Sequence, residues 1–372
     1  MKLIIERASL LVAMSHVQNA VEKRNTIPIL SNVLLTAEDG FLCLTATDLD
    51  LSIVEKIKGE IIDEGSTTTP AHLLYEIIRK LPEGSQVEIE SAEKNSKIII
   101  KTGRSRFSLP CLPREDYPVI DNDKLPVNFN INSKDFKKLI DKTKFAMSHE
   151  ETRYYLNGIY LHSFKENSQT YLRAVATDGH RLALSQTILP SGAEKMSNII
   201  IPRKAISELH RLIDQKDIDI EINISESQVQ FNISDIILST KLIDGTFPDY
   251  QRVIPEGNDK IIEINRNQLS DAVDRVSTIS TEKSRAIKLN FDSKVIKVSA
   301  SSPDAGSAIE EFEVSYNGDN IEIGFNSRYL LDILNQISSE VTTFDLADSV
   351  SPAVIKDLDN DNSIYVLMPM RV

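Results

Sequence analysis

The chain has 372 residues, more than one compact core usually holds, and its 41% hydrophobic and 26% charged residues are typical of a globular protein, so two or three domains are expected. Its formal charge of −13 argues against a simple cationic nucleic-acid binder, although net charge is a whole-chain sum and electrostatic fields are local. No apolar run approaches the ~20 residues of a membrane span, and the opening MKLIIERASLL does not read as a secretory leader.

In chain order, the first helical pattern spans 7–24, with Leu10, Met14 and Val17 in an i, i+4, i+7 register. A strand-like stretch then ends in TATD (Thr45 to Asp48), and a second helix is predicted over 70–81 from Leu73, Leu74, Ile77 and Ile78. The same order returns twice. Phe136, Ile140 and Thr143 mark a helix in 133–148, VATD (Val175 to Asp178) follows, and Ala205, Ile206 and Leu209 mark a helix in 202–213. Leu269, Val273 and Val276 then mark one in 265–281, the degraded tetrapeptide SASS (Ser299 to Ser302) follows, and Tyr329, Leu330, Ile333 and Leu334 mark the last in 326–338.

The first helices are 126 and 133 residues apart, the second helices start at intervals of 132 and 124, and LPREDYP (112–118) returns as LIDGTFP (242–248) after 130. A period this long makes each copy a domain and not a solenoid unit. The segments between are β-rich by alternation and cut by Gly, Asn and Asp turns. Linkers are expected at Asn122 to Pro126 and Pro255 to Asn258, giving domains at 1–122, 127–254 and 258–372. The fold class is therefore α+β: three repeated domains, each with two helices packed on antiparallel sheet.

Cys43 and Cys111, the only cysteines, make no disulfide framework or metal site and are expected to be buried thiols in a reducing cytoplasm. The first four helical segments carry a net +8 while the last two are neutral, so the rest of the chain carries −21. Lysines on any one helix face often do no more than solvate it. A bias shared by four helices instead suggests a basic surface turned toward a partner.

The stretches IPILSNVLL (27–35), LTATDLDLSI (44–53), GRSRFSLPCLP (103–113), TRYYLNGIYL (152–161), VATDGHRLA (175–183), IPRKAISEL (201–209), FPDYQRVIP (247–255), IEIGFNSRYLLDIL (321–334) and YVLMPMRV (365–372) come next. In this order they resemble the β subunit of bacterial DNA polymerase III, the sliding-clamp family, over essentially the whole chain. The resemblance implies a DNA-clamp fold and a head-to-tail homodimer closed into a six-domain ring, with twelve helices lining a hole that holds duplex DNA without reading its sequence. It implies a processivity factor with no cofactor and no metal, cytoplasmic and associated with the bacterial nucleoid. The partners implied are the replicative polymerase catalytic subunit, the clamp loader and other clamp-binding proteins of replication and repair, with no membrane.

The family's partner-peptide pocket maps to Leu156, Thr177, Gly179, His180, Arg181 and Leu182 from the second repeat. Pro248, Arg252, Val253 and Tyr329 continue it, and the tail supplies Val366, Met368, Pro369 and Met370. The residues agree in kind, since a Met-rich apolar chain end suits a surface that accepts several peptides. The same tail also reads as a final edge strand of the third domain. A polar rim would be sought at Ser351 and Pro352.

The family's DNA contacts map to Arg24, His149, Arg153, Tyr154 and Tyr155, basic and aromatic groups suited to phosphates and strand ends. Tyr154 and Tyr155 also read as strand residues with one ring buried. The dimer contact would set Phe107 and Leu109 against Thr278 and Ile279, with Lys97, Arg104 and Arg106 facing Asp304, Glu310 and Glu311. An enzyme finds little support. Asp178 and His180 are a carboxylate near an imidazole with no nucleophile or metal motif beside them. TATD in the first repeat lacks the histidine, which makes Asp48 and Asp178 turn residues. A β-rich structural or interaction protein is the remaining alternative.

Overall fold

The computed structural model describes residues 1–22, 26–92, 96–118, 125–213, 217–280, 285–316 and 318–371. Arg24 and most of the first expected linker lie outside these residues.

The element order repeats three times. The first copy runs β1 (Lys2–Glu6), α1 (Arg7–Val17), β2 (Asn32–Glu38), β3 (Phe41–Thr47), β4 (Leu51–Lys58), β5 (Glu60–Asp63), β6 (Gly65–Pro70), α2 (Ala71–Lys80), β7 (Gln86–Ala92), β8 (Lys97–Thr102) and β9 (Ser105–Pro110). The second runs β10 (Val127–Asn132), α3 (Ser133–Thr143), β11 (Gly158–Glu166), β12 (Gln169–Thr177), β13 (Arg181–Ile188), β14 (Ile199–Pro202), α4 (Arg203–Ile213), β15 (Asp219–Ile224), β16 (Gln228–Ile233) and β17 (Ile236–Lys241). The third runs β18 (Lys260–Asn265), α5 (Arg266–Ser277), β19 (Ala286–Phe291), β20 (Val295–Ser302), β21 (Gly306–Glu313), β22 (Ile321–Asn326), α6 (Ser327–Leu334), β23 (Val341–Leu346), β24 (Ala353–Asp357) and β25 (Asn360–Leu367).

Helix starts follow local chemistry. Asn265 caps α5 by accepting from the Gln268 amide, and Asn326 caps α6 by accepting from the amides of Arg328 and Tyr329. The buried residues of α1 are Leu10, Ala13, Met14 and Val17, the i, i+3, i+4, i+7 stripe that periodicity predicts. Burial of Leu10, Met14 and Val17 contributes roughly 1.5–3 kcal/mol each relative to exposure. In α2 the stripe is narrower than expected: Leu74 and Ile78 are buried, but Leu73 points outward and is 47% exposed.

By internal contacts the chain forms two compact units, residues 1–134, 190–197 and 204–242, and residues 135–189, 198–203 and 243–372. Each unit holds two antiparallel sheets, and in each the larger sheet crosses from one repeat to the next. In the first unit the small sheet has the order β5-β1-β7-β8-β9, and the eight-stranded sheet runs β10-β15-β16-β17-β4-β3-β2-β6. The crossing is β17 against β4, with Leu238 opposite Ile53. In the second unit the eight-stranded sheet runs β14-β11-β12-β13-β25-β24-β23-β18, and the small one β21-β20-β19-β22. Here the crossing is β13 against β25, with Arg181 opposite Leu367 and Leu182 opposite Val366.

This pairing corrects the edge-strand reading of the tail. β25 is an interior strand, bonded to β24 on one side and β13 on the other, and Tyr365, Val366 and Leu367 are buried. Cys43 and Cys111 are half-buried, not buried, and partial desolvation pushes both thiols above their ordinary pKa.

Candidate functional site

β12 and β13 are joined by a turn built from side-chain hydrogen bonds. Asp178 Oδ1 accepts from the amides of His180 (2.9 Å) and Arg181 (3.0 Å), while the Thr177 hydroxyl donates to the Arg181 carbonyl. The first repeat builds the same turn, with Asp48 Oδ1 accepting from the amides of Asp50 and Leu51. The carboxylates are turn formers, as expected. The His180 ring stacks on Tyr329 with centroids 6.0 Å apart, and Asp178 meets the backbone amide of His180. Among the described residues no cluster of His, Cys, Asp or Glu is placed to hold a metal.

Arg181 fixes the turn to the third repeat. Its guanidinium donates to Asp178, to Asp332 of α6 (2.6 Å) and to the Phe145 carbonyl (2.7 Å). Gly179 has φ +87°, a conformation that side chains rarely adopt, and a Cβ there would lie 2.9 Å from Arg153 Nη1.

Beside this turn opens a cavity of about 270 Å³, lined by Arg153, Tyr155, Leu156, Thr177, Gly179, Arg181, Leu182, Pro248, Val253, Val366 and Met368. Its floor is continuous with a buried cluster of Leu156, Val175, Leu182, Leu184, Ile200, Phe247, Tyr250 and Val366. The tail is pinned beyond β25, since the Met368 amide donates to the His180 carbonyl and the Met370 amide to Gly324. Of the pocket residues expected from sequence, Leu156, Thr177, Gly179, Arg181, Leu182, Pro248, Val253, Val366 and Met368 line this cavity. His180, Arg252, Tyr329, Pro369 and Met370 are not among its walls; Arg252 is 86% exposed and paired with Asp249. Ser351 and Pro352 do not line it either. Ser351 is tied to Asp348, and the Pro352 carbonyl accepts from Asn258.

Behind the wall formed by 248–253 lies a buried polar row across three strands. His162 on β11 is opposite Arg173 on β12, which is opposite Gln186 on β13. Arg173 donates to Gln186 Oε1 and, at 3.2 Å, to the Tyr250 hydroxyl, and its guanidinium lies 3.6 Å from the Phe164 ring centroid. His162 Nε2 is 3.0 Å from the same hydroxyl, and its Nδ1 is 3.0 Å from the Ser163 carbonyl. Phe247, just before the wall, stacks on Tyr160 at 4.7 Å.

The sequence model of the DNA polymerase III beta subunit N-terminal domain matches residues 1–121, that of the central domain 130–249, and that of the C-terminal domain 251–371. The chain belongs to the DNA polymerase III beta subunit family. It is 48% identical over 372 residues to the beta sliding clamp of Caulobacter vibrioides and 38% identical over 374 residues to that of Escherichia coli, covering all of each chain. Its structure is similar to that of the sliding clamp of Bartonella birtlesii bound to griselimycin, with a TM-score of 0.98 and 46% identity over 100% of both chains. A Caulobacter crescentus beta sliding clamp gives a TM-score of 0.95 and 48% identity over 100% of both chains. The fold is the DNA-clamp fold, and the function is that of a sliding clamp, a processivity factor of DNA replication.

Against that family background the remaining expected sites separate. Tyr154 and Tyr155 sit in a 3-10 segment, Glu151–Leu156, and not in a strand: Tyr154 is 53% exposed, while Tyr155 packs on the buried cluster. Arg153 Nε is paired with Glu150 at 3.2 Å, and Arg153 and Tyr155, expected at DNA, also line the cavity. Partial desolvation and the guanidinium groups of Arg203, Arg181 and Arg328 hold the His149 imidazole below its ordinary pKa, which disfavours the charged form that would attract phosphate.

The basic helix residues are largely engaged within the chain. Arg7 donates to the Ile78 and Arg79 carbonyls at the end of α2, Lys204 to Asp48 and Glu22, and Arg211 to Glu208. Lys142 donates to the Gln336 carbonyl and the Ser338 hydroxyl. At the expected dimer rims, Leu109 is buried in its own sheet at 5% exposure, leaving half-buried Phe107 and Ile279. Glu310 is held by a bidentate Arg275 and Glu311 by Lys297. Lys97, Arg104, Arg106, Thr278 and Asp304 are exposed. β9 and β21 are edge strands of their sheets, and β21 carries Ile309 at 60% exposure.

Proposed function

We propose that two copies of this chain join head to tail through the edges of β9 and β21, with Phe107 and Ile279 between them, and close into a six-domain ring around duplex DNA. Two outward strand edges on one chain, one in each unit, suit a heterologous contact that closes after two subunits. The domains of that ring are 1–122, 127–254 and 258–372. The ring carries no chemistry; it acts by tethering. The cavity beside Arg181 takes short apolar peptide segments of the replicative polymerase catalytic subunit, the clamp loader and other replication and repair proteins in the bacterial cytoplasm.

One observation carries this reading: a cavity of about 270 Å³ whose walls combine Leu156, Leu182, Pro248, Val253, Val366 and Met368 with Arg153 and Arg181 at its polar end. That is room for a few anchoring side chains of a peptide, at the small end for a ligand pocket. The test is deletion of residues 368–372. It removes Met368 from the wall and is expected to abolish peptide binding in fluorescence polarisation while sedimentation still shows a dimer. Undiminished peptide affinity would place the site elsewhere.

A further inference from the structure

The hydrogen bonds behind the cavity wall can be assigned a direction. Arg173 only donates, so the Tyr250 hydroxyl accepts from it and has one proton left to give. Tyr250 is 4% exposed, and the acceptor within reach of that proton is His162 Nε2. The Ser163 carbonyl only accepts, so the His162 proton sits on Nδ1. Two independent partners thus demand the same state of the ring: neutral, with Nδ1 carrying the hydrogen. The chain of donors runs Arg173 to Tyr250 to His162 to Ser163 and leaves no buried group on it unmatched.

Tyr250 opens the 3-10 segment Tyr250–Val253, and the cavity wall at Pro248 and Val253 flanks it on both sides. We propose that His162 is a positioning residue for the peptide cavity: by accepting the Tyr250 hydroxyl it fixes the 248–253 wall, and its protonation releases that wall. This rests on the cavity being the peptide site.

Protonated His162 would present an N–H to the Tyr250 oxygen, which would then accept twice and leave its own proton without a partner in a buried site. It would also place a second cation opposite Arg173. The other groups facing the ring are apolar or neutral: Tyr160 and Phe164 on its own strand, and Gln186 beyond Arg173. The Glu166 carboxylate lies 3.8 Å from the Arg173 guanidinium and is half exposed. Burial first, and Arg173 next among the opposing influences, hold the imidazole below its ordinary pKa despite the Ser163 bond. The wall is therefore fully held above the ordinary histidine range and loosens as pH falls through the lowered value.

The test measures binding of a fluorescein-labelled, histidine-free pentapeptide of apolar residues, from about pH 7.5 to about pH 5, across the histidine range. The full-length protein is expected to lose roughly tenfold in affinity over that range. His162→Gln keeps an acceptor at the Tyr250 hydroxyl but cannot titrate, so the affinity it has at neutral pH should be largely kept in acid. Tyr250→Phe should weaken binding at neutral pH roughly threefold or more and remove most of its pH dependence. An acid loss in His162→Gln equal to that of the parent would assign the effect to another group and overturn the inference. So would a parent whose affinity does not change with pH. Absence of peptide binding by the parent at any pH would instead overturn the reading of the cavity itself.

Discussion

The Arg181 guanidinium carbon lies 4.4 Å from the centroid of the Tyr329 ring while its nitrogens hold Asp178 and Asp332, so one side chain ties the β12–β13 turn to α6. Arg181 is 9% exposed, which keeps solvent from replacing these bonds. Arg181→Ala takes this donor from Asp332, from Asp178 Oδ2 and from the Phe145 carbonyl. Discounted for the partial exposure of Asp332, the expected loss is about 2–3 kcal/mol. A urea-unfolding midpoint within error of the parent would show the cluster to be ornamental. Arg181→Lys should recover only part, because a point charge cannot serve three acceptors and stack on a ring.

Gly179 separates two costs. Gly179→Ala places a methyl group on a backbone at φ +87° and drives it against Arg153 Nη1. The backbone cost is about 1 kcal/mol and stays whatever Arg153 does. The steric part acts on the cavity wall and disappears when Arg153 is shortened. A double-mutant cycle in peptide affinity, with Arg153→Ala as second change, should therefore show coupling, while the thermal stability loss of Gly179→Ala should persist in both backgrounds. Strict additivity in affinity would mean that Arg153 does not close on this turn in solution.

The helices and turns were legible because their signals are local. Leu10, Met14 and Val17 recur at helical spacing, and an Asp three residues before a strand can make the Asp178 turn with no help from the rest of the fold. What escaped depends on distant partners. Nothing in the tail's alternation tells that β25 pairs with β13, nearly two hundred residues away, so an interior strand read equally well as an edge. Arg153 sits among basic and aromatic neighbours that suit DNA, and only the bare face of Gly179 shows where its side chain goes. The row His162, Arg173, Gln186 is invisible until strand register is known. The charge summed over helices likewise says nothing of which cations also serve as internal ties, as Arg7 and Lys142 do to carbonyls and Lys204 to carboxylates.

Phe107 and Leu109 lie two residues apart on β9 yet should behave differently. Leu109 is buried within its own sheet, whereas Phe107 is half-buried on the edge strand. Phe107→Asp should shift the protein from dimer to monomer in sedimentation with its melting temperature little changed, because it removes contact area and adds a charge at the interface. Leu109→Asp should lower the melting temperature, since a carboxylate would be buried without a partner. A Phe107→Asp protein that remains dimeric at sub-micromolar concentration would move the subunit contact away from β9.

How DNA is held follows from where the positive charge has gone. The chain carries −13 overall, and several helix cations are already bound inside it, Lys204 by Asp48 and Glu22 and Lys142 by Gln336 and Ser338. On a chain whose net charge is negative, adhesive binding to open duplex should be weak and should fade steeply with salt. A closed ring is retained by topology, which salt does not screen. Once placed on a nicked circle by a clamp loader, the protein should stay bound through gel filtration at moderate salt. Cutting the circle gives the ring an end to leave by, and no strong contact has to break as it slides off. Release on linearisation, prevented by blocking both ends, is the expected result. Retention on cut DNA with free ends would show adhesive binding, and the tethering mechanism proposed for this chain would have to be abandoned.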